Sequence, residues 1–243
     1  MLSPNQPKAL IFDLGDVLFS WSPDTKTTIP AVVMRKLISS GTWAKYECGQ
    51  LQQAVCYREL AKDFSLPVSE IAEAFSQARD SLAPNEAMIT LIHELKRASG
   101  GSLHVYAMSN ISIEDYTVLS TKMADWTIFD RVFTSGQAGM RKPDIPFYRY
   151  VLQEINASPS ETVFVDDKIE NVRAARSLGI TGVQFDDASI VAHTLRSLFD
   201  GPVKRGYEYL YRNAKRFSSM TDSGIMVSEN FAQLLILDTT HDA

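Results

Sequence analysis

Polar side chains that could carry out phosphoryl chemistry stand where the apolar runs of this sequence end. A carboxylate nucleophile, a hydroxyl, an ammonium group and an acidic pair together suit phosphoryl transfer, which depends on positioning and charge neutralisation. In chain order they are Asp13 after "ALIF", Ser109 and Asn110 after "HVYAM", Lys142 in "GMRKPD", and Asp166 with Asp167 after "TVFV".

The acidic members of this set also predict a metal site. Carboxylate oxygens are hard ligands, and no histidine or thiol cluster accompanies them in the sequence. This donor set favours magnesium among the common protein metals. The predicted cofactor is therefore Mg²⁺.

These residues can meet only if a parallel sheet brings the strand ends together. Near-continuous apolar strands that alternate with helical patterns predict a doubly wound α/β fold, with a parallel sheet covered on both faces. Ligands of such sheets bind outside the carboxyl ends of the strands. The predicted strands are Ala9 to Leu14, Leu103 to Ser109, Arg131 to Ser135, Thr162 to Asp167, and a weaker one from Gly182.

A long stretch without strand signals separates the first two strands and predicts an inserted α-helical cap. "IAEAFSQARDSL" and "MITLIHEL" both place apolar residues on one helical face, and the second pattern returns to the core. We therefore predict an α/β core over residues 1–19 and 88–200 with a cap over 20–87. Residues 201–243, basic and aromatic at first and apolar at the end, form a C-terminal extension.

The composition of the chain indicates its cellular compartment and the kinds of partner it binds. The formal net charge is -5 with both signs interspersed, so we expect no nucleic-acid partner. Cys48 and Cys56, eight residues apart on a predicted helix, are too distant for a disulfide, which favours a reducing compartment. No apolar run approaches the roughly 18 residues of a membrane span. We expect a soluble, cytoplasmic chain with no membrane partner, and the sequence leaves the oligomeric state open.

Four motifs in order, together spanning about Lys8 to Phe185, resemble a known family. They are "DLGDV", "AMSN", "RKPDIPFY" and "VFVDDKIENVRAARSLG". The sequence resembles phosphatases of the haloacid dehalogenase superfamily that carry a helical cap. The resemblance implies a magnesium-dependent phosphohydrolase for a small phosphorylated metabolite, such as a sugar phosphate or a prenyl or terpenyl phosphate or diphosphate.

The resemblance also implies catalytic and substrate-binding roles. Asp13 would attack phosphorus and form an aspartyl-phosphate that water later hydrolyses. Ser109 and the Asn110 backbone would bind the transferring phosphoryl group. Lys142 would neutralise the charge on nucleophile and phosphate.

The same resemblance implies a set of metal ligands around the nucleophile. Asp13, the Gly15 carbonyl and Asp167 would ligate magnesium. Asp166 would either ligate it or orient the lysine, and Asn171 would support the acidic loop from outside.

Gly15 departs from the usual family pattern. Most of these phosphatases have a second Asp there, whose carbonyl ligates magnesium and whose side chain is the general acid and base. Gly15 retains the carbonyl only, so metal binding should survive while proton transfer loses its usual group. The Asp16 side chain is expected to point elsewhere unless a tight turn brings it back, and we place it among the supporting residues.

The missing carboxyl bears on the leaving group. General acid catalysis contributes about 10²- to 10⁴-fold, and it matters most for poor leaving groups such as alkoxides. A phosphate leaving group, whose second pKa is about 6, needs little help. Diphosphates, and phosphates on acidic hydroxyls such as a sugar's anomeric hydroxyl, are therefore favoured as substrates over simple alkyl monophosphates.

Other interpretations remain. A non-hydrolytic phosphate-binding module would retain the fold without turnover. A dehalogenase would need no metal, and the acidic pair argues against it. "SENFAQLLILDTT" with "VDDKIEN" resembles fungal terpene cyclases that carry a dehalogenase-like domain, although Ile236 interrupts their "DxDTT" motif and we expect no cyclisation by this chain alone. Trp21, Trp43 and Tyr46 could belong to the cap core or line a substrate pocket.

Overall fold

The structure is a computed structural model, and it describes residues 7–199. Its strands are β1 (Ala9–Phe12), β2 (Phe19–Ser20), β3 (Ala83–Pro84), β4 (His104–Ser109), β5 (Arg131–Thr134), β6 (Thr162–Asp166) and β7 (Thr181–Gln184). Its α-helices are α1 (Ala31–Ile38), α2 (Gly41–Glu47), α3 (Gln53–Phe64), α4 (Val68–Asp80), α5 (Glu86–Ala98), α6 (Ile113–Leu119), α7 (Ser135–Ala138), α8 (Ile145–Glu154), α9 (Ile169–Ser177) and α10 (Ala188–Phe199).

A five-stranded parallel sheet forms the centre of the fold, in the order β5-β4-β1-β6-β7. These are the five strands predicted from the apolar runs. The central strand β1 is buried at every position, as a parallel strand covered on both faces must be. The predicted doubly wound α/β class is confirmed.

Alternate residues of β1 contact two different apolar cores. Leu10 and Phe12 pack with apolar side chains of α5, α6 and α10 on one face of the sheet. Ala9 and Ile11 pack with apolar side chains of α8 and α9 on the other face. Because side chains alternate along a strand, both faces are covered and the strand ends at the carboxyl edge remain accessible.

Both predicted helical patterns are buried on the expected face. In α5 the buried residues are Met88, Leu91, Ile92 and Leu95, and in α4 they are Ile71, Ala74, Phe75 and Ala78. The predicted stripe in "IAEAFSQARDSL" extended to Leu82, which instead follows the end of α4.

Helices α1 to α4 pack around an apolar cluster of their own, separate from the two sheet cores. At their base Phe19 pairs with Pro84 and Ser20 with Ala83 in a two-residue antiparallel ribbon. This ribbon was not predicted, because two residues are too few to display an alternating pattern. The division of the chain into a cap at 20–87 and a core stays a prediction.

Three further predictions concern the chain as a whole. Cys48 and Cys56 are both buried free thiols, as expected from their spacing. Within residues 7–199 no helix has the length and apolar character needed to cross a membrane. The predicted C-terminal extension, residues 201–243, lies outside the described residues.

Candidate active site

The pairing of β1 with β6 brings Asp13 and Asp166 together at one edge of the sheet. Phe12 of β1 pairs with Val165 of β6, and Asp13 and Asp166 each follow that paired position by one residue. The Asp13 backbone N–H donates to the Val165 carbonyl at 2.9 Å, which extends the pairing to the carboxylate itself. On the other side of β1, Ser109 ends β4 at the same edge. Strand ends that are distant in sequence therefore meet in one place.

A buried lysine joins the two carboxylates. Lys142 Nζ lies 2.9 Å from Asp13 Oδ1 and 2.7 Å from Asp166 Oδ2. The Lys142 side chain is 1% exposed and that of Asp166 is fully buried. The Leu14 N–H also donates to Asp13 Oδ1, at 2.7 Å, so the Asp13 rotamer is fixed from two directions. These contacts hold Asp13 Oδ1 beside the Lys142 ammonium group.

At both Asp13 and Lys142, burial and the charge of the partner residue shift the pKa in opposite directions. Burial raises the pKa of Asp13 to about 6, and Lys142 opposes the rise. Burial by itself lowers the pKa of Lys142, but the adjacent Asp13 and Asp166 carboxylates raise it above its ordinary value. The lysine is thus held as a cation because two carboxylates surround it.

Asp166 has both oxygens engaged in protein contacts. The Asn171 amide donates to Oδ1 at 2.9 Å and to Oδ2 at 3.1 Å, and the Lys168 N–H donates to Oδ1 at 2.9 Å. Tyr148 in turn donates to the Asn171 carbonyl at 2.9 Å. Asn171 thus lies where a supporting residue was predicted.

Three carboxylates are close enough to share one metal ion. One oxygen from each of Asp13, Asp166 and Asp167 lies within 4.8 Å of the other two. Asp167 is half-buried, and burial raises its pKa, with Lys168 opposing and Asp166 and Asp16 adding to the rise. An all-oxygen donor set with several negative charges fits a hard divalent cation such as Mg²⁺.

Ser109 and Asn110 both border the same cavity, but the Asn110 side chain has a further contact. Its amide nitrogen donates to the Lys142 carbonyl and its amide oxygen accepts from the Lys142 N–H, both at 2.8 Å. This reciprocal pair fixes the backbone that carries Lys142. The sequence suggested only a phosphate contact through the Asn110 backbone.

The turn after Asp13 brings Asp16 back towards the site. Asp16 has a φ of 56°, in the left-handed region, and its carboxylate accepts from Trp21 Nε1 at 3.2 Å. Both Gly15 and Asp16 line the cavity. A Cβ placed on Gly15 would meet nothing within 4 Å, so the glycine leaves open space beside the nucleophile.

The cavity above the carboxylates measures about 420 Å³, within the range of small-molecule sites. Its floor is the polar cluster, and its other walls combine apolar side chains with the charged side chains of Arg35, Glu47, Arg79, Asp115 and Arg141. Trp43 and Tyr46 are buried in the apolar cluster of α1 to α4, and Trp21 packs against it, while Trp21 and Trp43 also line the cavity. The apolar wall includes Trp21, Ile38, Trp43, Phe75, Leu82 and Leu119.

Two ion pairs in the cavity wall were not predicted from the sequence. Arg141 NH2 lies 2.9 Å from Glu47 Oε2, and Arg79 NH1 lies 3.2 Å from Asp115 Oδ1. Each joins a helix of the α1 to α4 cluster to the sheet domain. The position of Arg141 beside Lys142 in "RKPD" was a usable signal, whereas nothing in the sequence singled out Glu47.

Comparisons with family models match most of the chain. The model of the haloacid dehalogenase-like hydrolases matches residues 7–179. The model of the sesquiterpene cyclase astC-like C-terminal domain matches residues 203–243, beyond the described part of the structure.

Two curated relatives cover different shares of the chain. Sesquiterpene phosphatase astK of Aspergillus oryzae is 41% identical over 191 residues, which are 79% of this chain and 96% of that protein. Drimenol cyclase drtB of Aspergillus calidoustus is 44% identical over 235 residues, which are 97% of this chain. This chain spans only 44% of the length of that cyclase.

Solved structures show the same fold at low sequence identity. A HAD family enzyme of Bacteroides thetaiotaomicron, in complex with magnesium and inorganic phosphate, aligns with a TM-score of 0.61 at 21% identity. The alignment covers 76% of this chain and 98% of that one. L-2-haloacid dehalogenase of Xanthobacter autotrophicus aligns with a TM-score of 0.56 at 19% identity, over 81% of this chain and 85% of that one.

Proposed function

The chain belongs to the haloacid dehalogenase-like hydrolase family, and on that premise we propose that it is a magnesium-dependent phosphatase for a prenyl or terpenyl phosphate. One observation carries the proposal. Asp13 and Lys142 of the buried carboxylate and lysine cluster line a cavity whose wall includes a group of aromatic and aliphatic side chains. Such a site suits a ligand with a phosphate at one end and a hydrocarbon body.

The reaction proceeds in two displacements at phosphorus. An Asp13 carboxylate oxygen forms a bond to phosphorus while the bond from phosphorus to the ester oxygen breaks, and the leaving alkoxide takes a proton from water. Water then attacks phosphorus, the bond to Asp13 breaks, and inorganic phosphate is released. Lys142, held as a cation beside Asp13, stabilises the negative charge of the phosphoryl oxygens in both steps.

The metal has a suitable place beside the nucleophile. Asp13 and Asp167, together with the Gly15 carbonyl, would hold Mg²⁺, while Asp166 mainly holds Lys142. When bound there, the ion supplies positive charge close to the phosphoryl oxygens. Ser109, buried at the end of β4 and facing the cavity, would donate to one of those oxygens.

The wall of the cavity favours an apolar substrate body over a sugar. Trp43 stacks on Phe75 with ring centroids 4.3 Å apart, which fixes a flat aromatic surface at the cavity. On this aromatic part of the wall a sugar would leave its hydroxyls without hydrogen-bond partners, at a cost for each. A terpenyl chain would instead bury apolar area there. The description of the Aspergillus oryzae relative as a sesquiterpene phosphatase supports this assignment.

The experiment measures phosphate release from farnesyl phosphate and from glucose 6-phosphate, with Mg²⁺ and with a chelator. We expect turnover with Mg²⁺ only and a higher kcat/KM for farnesyl phosphate. Asp13→Asn should abolish turnover, and Asp24→Asn, which changes an exposed aspartate, should not. No turnover of either substrate would refute a phosphatase, and a preference for the sugar phosphate would refute the terpenyl assignment.

A second candidate function follows from the match at residues 203–243. That match, with the drimenol cyclase relative, favours a domain that removes phosphate from the product of a sesquiterpene cyclisation. Incubation with farnesyl phosphate and with a cyclic sesquiterpenyl phosphate would separate the two. A higher kcat/KM for farnesyl phosphate indicates a prenyl phosphatase, and a higher kcat/KM for the cyclic phosphate indicates a domain that acts on the product of a cyclisation.

A further inference from the structure

We propose that Glu47 restricts the site to a single phosphoryl group and excludes a diphosphate. This inference rests on the proposed function, because it concerns the phosphate end of the same cavity. Glu47 comes from the last position of α2, and its carboxylate lies 2.9 Å from the Arg141 guanidinium. Arg141 directly precedes Lys142, and both members of the pair line the cavity.

Glu47 is fixed from three sides. Its backbone carbonyl accepts from Ser135 Oγ at 2.6 Å, and its Oε1 accepts from Trp43 Nε1 at 2.9 Å. Arg141 NH2 donates to Oε2 at 2.9 Å. The Glu47 side chain is only 13% exposed. The Glu47 carboxylate is therefore held in one position in the cavity wall, whereas the side chains of a surface ion pair move freely.

Arg141 would otherwise be a good site for a second phosphate. A guanidinium group presents several N–H donors in a planar fork that matches phosphate oxygens. Arg141 Nε is buried and has no hydrogen-bond partner among residues 7–199, so the group retains an unused donor. The Glu47 carboxylate already neutralises this cation, with Oε2 2.9 Å from Arg141 NH2, and so takes the part that a distal phosphate would play.

The charge of Glu47 also opposes such a phosphate directly. Burial raises the pKa of Glu47, and the Arg141 and Lys168 charges and the Trp43 hydrogen bond partly oppose the rise. The ion pair with Arg141, with Oε2 2.9 Å from the guanidinium, places negative charge at this wall. Two like charges close together in a partly buried site repel. Leaving-group chemistry alone favours a diphosphate, since the site lacks a carboxyl at Gly15. The charge arrangement around Glu47 favours a monophosphate, and binding measurements can decide between them.

The first test compares two probes that require no turnover. Binding of inorganic phosphate and of methylenediphosphonate, which has no cleavable P–O–P bond, is measured by calorimetry on the full chain with saturating Mg²⁺. The wild type should bind phosphate more tightly. Glu47→Gln keeps a carbonyl oxygen for Trp43 and removes the charge, so relative affinity for the diphosphonate should rise by at least about tenfold.

The matched control is Glu94→Gln, because Glu94 forms a Glu–Arg pair with Arg196 at 2.6 Å on the surface. It should leave the affinity ratio unchanged. If Glu47→Gln also leaves the ratio unchanged, or if the wild type already prefers the diphosphonate, the proposal is wrong. Because binding is measured without catalysis, failure here does not depend on whether the chain is a phosphatase.

A second variant tests the partner residue and guards against a misfolded Glu47 variant. Arg141→Gln leaves the Glu47 carboxylate unpaired, so it should weaken diphosphonate binding more than phosphate binding. In the double variant, the gain from Glu47→Gln should disappear, because the cation that would hold the second phosphate is absent. A gain that persists in the double variant would refute the role of Arg141.

Discussion

The Lys142 ammonium group lies 2.9 Å from the Asp13 carboxylate, with 1% of the lysine side chain exposed. A buried cation at this distance keeps the nucleophile oriented and balances the charge that a phosphate dianion would bring. Because Asp166 contacts the same nitrogen at 2.7 Å, the position of Lys142 is fixed by two carboxylates.

Replacing this lysine should affect both catalysis and folding. Lys142→Met removes the cation that contacts both buried carboxylates, so we expect kcat to fall by about 10²-fold or more. The free energy of unfolding should fall by about 3–5 kcal/mol, since a buried charge loses its partner. Steady-state kinetics and urea denaturation measure the two effects. Lys36→Met, at an exposed lysine of α1, is the control, and a Lys142→Met enzyme with normal kcat would contradict the assigned role.

The two neighbouring carboxylates of the acidic loop should differ in their effect on the metal. Asp166 is engaged by Lys142, Asn171 and a backbone N–H, whereas Asp167 is half-buried beside them. We expect Asp167→Asn to weaken Mg²⁺ binding by at least about tenfold. Asp166→Asn should weaken it less and should lower thermal stability more. Calorimetric titration with Mg²⁺ measures the affinity, and a thermal melt measures the stability. Weaker Mg²⁺ binding in Asp166→Asn than in Asp167→Asn would contradict the assignment.

The open space at Gly15 predicts a gain of function. A Cβ there meets nothing within 4 Å, so Gly15→Asp should fold normally and add the carboxyl that the site lacks. The rate with a poor leaving group, such as an alkyl phosphate, should rise by up to about 10²-fold. The rate with p-nitrophenyl phosphate should change less, because that leaving group needs little protonation.

The control for this variant is Gly41→Asp, since Gly41 also has no atom within 4 Å of an added Cβ and does not line the cavity. It should change neither rate. Equal effects of Gly15→Asp on both substrates would argue against proton transfer as the missing step.

The apolar wall predicts selectivity for the hydrocarbon body of the substrate. Leu82 lines the cavity after α4 and is partly buried against the sheet core. Leu82→Gln should raise KM for farnesyl phosphate by about tenfold, since apolar contact is lost, and should hardly change KM for a small aryl phosphate. Val32→Gln, at a valine that is 61% exposed on α1, serves as the control. An equal rise in KM for both substrates would show that the wall does not contact the substrate body.

The sequence determined the layered fold and the set of motifs at its edge. Apolar runs such as "ALIF" and "TVFV" predict buried parallel strands, and their polar ends predict a common site, because both signals are local. The four motifs led to the dehalogenase-like family, and the resemblance of the tail to terpene cyclases was also correct. All five predicted strands are present.

The tertiary structure alone decided the contacts between distant segments. Glu47 and Arg141 are 94 residues apart, and their pairing depends on how α2 packs above the sheet edge. The reciprocal bonds between Asn110 and Lys142, and the open space at Gly15, likewise depend on the path of loops in space. Periodicity reports whether a residue is buried, but it carries no information about which remote side chain it will face, so only the packed structure could supply these partners.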